Sequence, residues 1–475
     1  MPARRLGRTS LSTGIRDKGI LRGSGVRAAF TRGAPPQGGP IAMDKMLNGY
    51  FRLDENRTSV RTEIMAGVTT FLTMAYIIFV NPDILKATGM DPGALFTATC
   101  LAAAYGSLAM GLYANYPVAM APGMGLNAYF AFGLVLGMKM PWQIALGAVF
   151  LSGVLALILS LLPIREYIVN AIPKSLKMAI SAGIGLFLGI IALKNAGIIV
   201  ADKATLVTLG KLTQPAVALA AIGFVAMIAL DARKIPGAIV IAILAVTAVG
   251  IALGITPFRG IAGVPPSPMP GLLKLDIPGA MQLGALTIVF TLFFVDFFDT
   301  TGTLVGVAHR AGMLDKDGKL PRLGRALVAD SSASIVAAAI GTSSTTSYIE
   351  SAAGVKAGGR TGLMAVTVGV LFLLSLFLAP LALSIPAFAT APALLFVACL
   401  MARGMTEVDW EDVTEYAPAV VCALTMPLTF SIAHGIAFGF ITYVAGKLLA
   451  GRAAEAHPAV IVIAALFLLK FALIA

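Results

Sequence analysis

Apolar residues occur along most of the chain in runs of roughly 17–25, the length at which an α-helix crosses a hydrocarbon core of ~30 Å. The runs lack the alternation of polar and apolar positions that a membrane β-barrel requires, so the membrane-embedded backbone has to be helical. The pattern therefore predicts an all-α membrane protein. Fourteen spans are predicted, at residues 62–80, 95–114, 121–138, 143–163, 174–193, 213–230, 236–255, 284–307, 326–341, 345–356, 361–384, 388–402, 415–432 and 434–450.

The composition excludes a soluble protein. Of the 475 residues, 58% are hydrophobic and 12% are charged, and the mean hydropathy is +0.89. About a quarter of the residues of a soluble domain are charged. The 50 glycines and 26 prolines lie inside the apolar runs, where neighbouring helices satisfy freed backbone groups, so they do not predict disorder.

The two ends of the chain differ from the region between them. Residues 1–42 carry eight Lys and Arg against one acid, Asp17, and so hold +7 of the net charge of +12. We expect a basic, disordered tail; Met43 resembles a natural start, so the tail is either a start-site extension or a lipid-binding segment. Because the excess charge lies in this tail, no nucleic acid partner is predicted. Residues 458–474 form a fifteenth apolar stretch, which either crosses the membrane or lies along its interface.

Loop charges predict the orientation, because cytoplasmic loops are enriched in Lys and Arg. With the N-terminus inside, the cytoplasmic loops after the first span hold 15 Lys and Arg and the outward loops hold seven. We therefore expect both ends of the fourteen-span core in the cytoplasm of a bacterial cell, with the spans in its inner membrane.

Two segments interrupt the pattern of plain apolar helix, and they lie seven spans apart. They are residues 117–133, in the third span, and residues 340–355, at the start of the tenth. Each has an approach rich in small residues, followed by a polar residue and a tyrosine (Asn127 and Tyr129; Thr346 and Tyr348). Paired interrupted segments in two halves of a chain indicate a transporter's central site, although ordinary contacts between small residues would give the same pattern.

Three acids are predicted to lie well inside the spans. Asp296 and Asp299 are three residues apart in the eighth span and share a helix face, and Glu350 lies in the interrupted tenth span. Acids in lipid are rare and costly, and no Lys or Arg is expected at a comparable depth. We expect at least one of them to contact substrate or proton; capping of Ser, Thr or backbone groups is the alternative.

The remaining titratable residues are weaker candidates. Asp330 and Glu63 are predicted near an interface, Glu63 as a solvated or capping residue, and His309 and His434 lie at span ends. The three cysteines and three histidines are dispersed, so neither a metal site nor a cofactor is predicted.

Interrupted helices also expose backbone donors, because the first N–H groups of a helix have no intrahelical partner. Such donors are predicted near Asn127 and Ala128 and near Tyr348 and Ile349. Together with carboxylate acceptors they would suit a flat heterocycle with alternating donors and acceptors. Aromatic residues that could stack on such a ring are Phe294, Phe297 and Tyr129.

Over roughly residues 48–475 the chain resembles the AzgA-like purine permeases, nucleobase–cation symporters with the uracil-permease fold. The blocks that carry the resemblance are residues 51–82, 121–132, 294–304, 341–355 and 426–440. The resemblance implies two inverted seven-span repeats, at 48–255 and 284–450. It also implies a core domain of spans 1–4 and 8–11, a gate domain of the others, short strands at the starts of spans three and ten, and a homodimer.

For the site, the resemblance implies that Asn127, Asp296 and Glu350 contact substrate and that Asp299 lies nearest the proton-coupling position, with Glu350 and Asp296 as further proton carriers. The chain has Glu350-Ser-Ala-Ala-Gly354 where xanthine and urate carriers have a Gln/Glu-Asn-x-Gly motif, which argues against those substrates. The predicted function is import of hypoxanthine, guanine or adenine by proton symport, and not catalysis. The alternatives are an anion transporter or channel of the same fold and an intramembrane aspartyl protease; the protease would need a Gly-x-Gly-Asp motif, which the chain lacks.

Overall fold

The computed structural model describes residues 41–161, 172–313 and 320–474, and these form the predicted all-α membrane fold. The predicted basic tail, up to residue 40, and parts of the loops 163–177 and 309–325, which are predicted to be cytoplasmic, lie outside the described residues. The helices are α1 (Ile41–Phe51), α2 (Val60–Met74), α3 (Ile77–Leu85), α4 (Pro92–Ala109), α5 (Met124–Ala128), α6 (Trp142–Ser160), α7 (Lys174–Asn195), α8 (Pro215–Ala232), α9 (Ala238–Ala252), α10 (Ile277–Ala280), α11 (Leu283–Arg310), α12 (Leu323–Ile340), α13 (Ser351–Lys356), α14 (Gly362–Ser375), α15 (Ala379–Ala382), α16 (Ala387–Ala402), α17 (Val413–Thr429), α18 (Ile432–Leu449) and α19 (Pro458–Ile474). The strands are β1 (Met120–Pro122), β2 (Ile199–Asp202), β3 (Leu206–Leu209) and β4 (Thr345–Ser347).

The described part of the chain contains ten helices that are long and apolar enough to cross a membrane. Shorter apolar helices cover Met124–Gly137, Ala238–Ala252 and Pro458–Leu469. The chain is therefore a multi-pass membrane protein. The count of fourteen spans and the repeat boundaries at 48–255 and 284–450 stay predictions.

The helices pack in two groups. In the first, which we name the core helices, α11 and α12 pack on α6, α12 also packs on α4, α14 packs on α2 and α4, and α3 packs on α4. In the second, the gate helices, α7 packs on α16 and α17, α8 packs on α9 and α16, and α17 packs on α18. Along the chain, the core region shows the same order of elements two times: a helix, a second helix, a short strand followed by a short helix, and a further helix. The two groups correspond to the core and gate domains that the resemblance implies.

Strands β1 and β4 pair antiparallel, with Met120 opposite Ser347 and Pro122 opposite Thr345. Each strand directly precedes a short helix, α5 or α13, so the predicted strands at the starts of spans three and ten are confirmed. An extended backbone inside lipid needs hydrogen-bond partners, and each strand supplies them to the other. Next to β1, a Cβ at Gly123 would lie 2.8 Å from the Thr346 Cγ2, so only glycine fits this close approach.

Two elements lie outside the repeated pattern. A hairpin of β2 and β3 joins α7 to α8; the hydrophobic pattern did not predict it. The fifteenth apolar stretch is helix α19, which packs on α18 through Val460, Ala464 and Phe467. Whether α19 spans the membrane stays a prediction.

Candidate functional site

The predicted polar residues converge at the paired strands β1 and β4, a place that we name the strand crossing. Asn127 lies on α5, Asp296 and Asp299 lie on α11, and Glu350 immediately precedes α13. Asn127 and Asp296 are 0% and 1% exposed, whereas Asp299 and Glu350 are partly exposed. Three helices that begin or pass at this crossing therefore bring together residues that are more than 200 positions apart in the sequence.

The Ser/Thr run 342–347 connects these residues through its hydroxyl groups. Asn81 Nδ2 donates to Thr342 Oγ1 at 3.0 Å, Ser343 Oγ donates to Asn127 Oδ1, and Ser344 Oγ lies 2.8 Å from Ser334 Oγ. Each hydroxyl contacts a different element, so the run fixes the strand at the centre of the core helices.

Among the described residues, two buried polar atoms of the predicted site residues have no hydrogen-bond partner, and Ser347 Oγ on β4 is a third such atom at the crossing. Asp296 Oδ2 accepts a hydrogen bond from Ser334 Oγ at 3.2 Å, but its Oδ1 accepts none. Asn127 Nδ2 likewise donates none, although Asn127 Oδ1 is bonded. Leaving a buried donor or acceptor unpaired costs about 1–3 kcal/mol. A polar heterocycle carries both acceptors and donors, so it would supply a partner for the unpaired donor of Asn127 and for the unpaired acceptor of Asp296.

Glu350 is held by a residue that the sequence analysis missed. The Tyr76 hydroxyl donates to Glu350 Oε1 at 2.7 Å. Tyr76 is buried at the break between α2 and α3, one residue before α3 begins. A phenol inside an apolar run was the available signal, but the fold alone pairs it with an acid 274 residues away.

Two further acids are buried in the structure. Asp330 lies midway along α12, accepts a hydrogen bond from Thr300 Oγ1 at 2.7 Å, and interacts electrostatically with Asp296. Its place near a membrane interface stays a prediction. Glu63 is fully buried and not solvated; its Oε1 accepts the backbone N–H of Arg360 at 2.8 Å, just before α14, which agrees with the predicted capping role.

Asp299 completes the acidic group. It interacts with the Thr346 hydroxyl and with the charge of Glu350. In the described part of the chain, no Lys or Arg forms an ion pair with Asp296, Asp299 or Glu350. The site is thus an uncompensated acidic cluster.

The predicted backbone donors on α5 lie one turn earlier than expected. Asn127 N–H donates to Gly123 O at 2.8 Å, and Ala128 lies inside the helix. Because α5 begins at Met124, the N–H groups without an intrahelical partner are those of the three residues 124–126. The prediction of free donors at Asn127 and Ala128 was therefore wrong.

Of the two backbone donors predicted near β4, Tyr348 N–H is bonded and Ile349 N–H has no backbone acceptor among the described residues. Tyr348 N–H donates to Ala119 O at 3.0 Å and its hydroxyl donates to Pro122 O at 2.6 Å, so both groups hold the strand pair together. Ile349 is 46% exposed beside Glu350, and of this pair it is the residue whose N–H has no backbone acceptor among the described residues.

The predicted stacking residues are all buried, in different surroundings. Phe297 packs on Phe293 with ring centroids 5.6 Å apart, in a cluster with Ala156 of α6, which is ordinary helix packing. Phe294 meets Phe440 of α18 edge-on at 5.8 Å, at the boundary between core and gate helices. Tyr129 follows α5 directly.

The structure has two groups of membrane helices, and an acidic cluster lies at the paired strands where two short helices begin. These features are typical of a membrane transporter. The chain belongs to the permease family, whose model matches residues 61–438. It is 48% identical over 429 residues to adenine permease AdeP of Escherichia coli, covering 90% of this chain and 96% of that protein. It is 45% identical over 437 residues to guanine/hypoxanthine permease PbuG of Bacillus subtilis, covering 90% and 99%. The predicted resemblance to AzgA-like purine permeases is therefore confirmed.

Solved structures support the same fold. The transmembrane domain of the cyanobacterial bicarbonate transporter BicA matches with a TM-score of 0.62 at 18% identity, over 80% of this chain and 96% of that one. At this identity the likeness concerns the fold alone.

Proposed function

We propose that the protein imports purine nucleobases (hypoxanthine, guanine or adenine) by proton symport across the bacterial inner membrane. Both ends of its fourteen-span core then lie in the cytoplasm, and a homodimer is the proposed assembly. The relatives named as adenine and guanine/hypoxanthine permeases support the substrate class. The observation that carries the binding mode is the pair of unpaired buried atoms, Asn127 Nδ2 and Asp296 Oδ1.

A purine base supplies what these atoms need. Asn127 Nδ2 donates to a ring nitrogen or carbonyl, and Asp296 and Glu350 accept ring N–H or amino hydrogens. Ile349 N–H adds a donor, while Ala128 and Tyr348 lie next to these groups in the chain and form part of the wall. Because a neutral heterocycle carries donors and acceptors together, it fits a site that would repel an anion.

Proton coupling follows from the uncompensated acids. Several carboxylates held close together without a cation repel one another, and the addition of a proton relieves this repulsion. We assign the proton to Asp299, with Glu350 and Asp296 as the groups that share it. The core helices then move relative to the gate helices, and base and proton leave to the cytoplasm.

Uptake of radiolabelled hypoxanthine, guanine and adenine by cells that lack other purine carriers tests the proposal. We expect uptake to collapse on addition of a protonophore, and Glu350→Gln or Asp296→Asn to abolish it while the protein still reaches the membrane. Glu407→Gln is the matched control, because Glu407 pairs with Lys174 at an exposed position among the gate helices. Full uptake by both site variants would exclude the proposed binding mode, and uptake indifferent to the protonophore would exclude proton symport.

The two other candidate functions fit the geometry less well. A bicarbonate or other anion transporter shares the fold, but an anion would meet Asp296, Asp299 and Glu350 with no neighbouring cation. An intramembrane aspartyl protease needs two aspartates on separate helices, as Asp296 and Asp330 are, but it also needs a Gly-x-Gly-Asp motif, which this sequence lacks. Bicarbonate uptake in place of purine uptake would favour the first alternative.

A further inference from the structure

The boundary between core and gate helices contains a buried polar contact that involves none of the acids of the candidate site. Thr390 Oγ1 of α16, a gate helix, donates to Asp83 Oδ2 of α3, a core helix, at 2.7 Å. Thr390 is 1% exposed and the Asp83 side chain is 7% exposed. A charge-assisted hydrogen bond with both groups shielded from solvent is among the stronger side-chain contacts.

Asp83 and Thr390 each make a second interaction within their own helix group. Asp83 forms an ion pair with Lys86, one turn further along the chain, and Thr390 Oγ1 lies 3.0 Å from Ala387 O. If the two groups separate, the aspartate keeps its cation and the hydroxyl keeps an acceptor. The contact can therefore break without leaving an isolated buried charge, as a contact that forms and breaks repeatedly must.

The position of this contact agrees with a closed outer side. Lys86 belongs to a loop that the charge distribution predicts to face outward. In the C-terminal part of α11, a Cβ added at Gly302 would have no described atom within 4 Å, and a Cβ added at Gly306 would have only Ile349 Cδ1, at 3.7 Å. Ile349, next to Glu350, is exposed. Core and gate helices are thus in contact at Asp83 and Thr390, whereas the described residues leave space beside Gly302, Gly306 and Ile349.

We propose that Asp83 and Thr390 form a reversible latch that closes the outer side of the transporter by holding core and gate helices together. Breaking the latch shifts the population towards the outward-open state. The idea rests on the carrier mechanism and orientation given under Proposed function, but its test needs no substrate. The two can therefore fail separately.

Thiol labelling from the outside measures the latch directly. Met124→Cys, in a background with the native cysteines replaced, places a thiol at the buried start of α5 between core and gate helices. We expect Thr390→Val to speed labelling by a membrane-impermeant maleimide about tenfold, equivalent to about 1.4 kcal/mol. Thr390→Ser keeps the hydroxyl and should restore the slow rate.

Thr247→Val is the matched control, because Thr247 is a buried threonine of a gate helix, and among the described residues its hydroxyl bonds only to Ile243 O of its own helix, at 2.8 Å. It should label at the parent rate. Size-exclusion chromatography in detergent checks that each variant folds. Equal labelling of Thr390→Val and its parent would overturn the latch, as would equal acceleration in the Thr247 control. Loss of purine uptake with accelerated labelling would support it.

Discussion

Removing the Tyr76 hydroxyl provides the sharpest test of how the acidic cluster is arranged. Tyr76→Phe deletes one oxygen from a buried ring and leaves its shape unchanged, while Glu350 Oε1 loses the donor that now lies 2.7 Å away. A hydrogen bond to a charged group contributes about 1.5–3 kcal/mol, which sets the upper limit of the effect. We therefore expect uptake efficiency to fall by about tenfold and by no more than about a hundredfold, since 1.4 kcal/mol corresponds to a factor of ten.

The assay is the initial rate of purine uptake across a range of concentrations, normalised to the amount of protein in the membrane. Because Tyr76 orients Glu350 and does not itself contact the base in the proposed mode, we expect the loss mainly as a raised KM. Tyr116→Phe is the control: this buried tyrosine donates its hydroxyl to Pro321 O and not to an acid of the site, so removal of the hydroxyl should lower stability and leave KM unchanged.

Two results would refute the reasoning. Parent-like efficiency for Tyr76→Phe would mean that Glu350 is positioned by other contacts. An equal loss in Tyr116→Phe would mean that the assay reports only damage to packing, and that the Tyr76 contact has no particular role.

Further predictions concern packing and charge. Gly123→Ala should lower Tm and uptake, because the new Cβ would lie 2.8 Å from Thr346 Cγ2 and overpacking costs about 1–3 kcal/mol, whereas Gly302→Ala, with nothing within 4 Å, should keep or raise Tm. Thermal unfolding in detergent measures both, and equal Tm changes would contradict the close approach at β1. Arg452 lowers the pKa of Glu455 to about 2, so the ion pair stabilises the fold above the ordinary carboxyl pKa and loses its effect as pH falls towards about 2. Arg452→Gln should therefore lower Tm most at neutral pH and least in acid; a Tm difference independent of pH would contradict this assignment.

The sequence alone places the acids inside apolar runs, because position within a run is a local property. Asp296, Asp299 and Glu350 each lie within an apolar run, and no tertiary information is needed to see that such acids must be functional or satisfied. The backbone donors were less predictable. One glycine, Gly123, sets where α5 begins, and its position depends on how closely β4 approaches.

Hydrophobic run length, the two interrupted segments and their paired positions were all determined by the sequence itself, because each depends on neighbouring residues and on the thickness of the bilayer. Only the tertiary structure decided which groups meet: Tyr76 with Glu350, 274 residues apart, and Asp83 with Thr390, 307 residues apart. Such pairs depend on which helices pack together. A tyrosine, an aspartate or a threonine inside an apolar run is compatible with many packings, so its partner cannot be read before the helices are assembled.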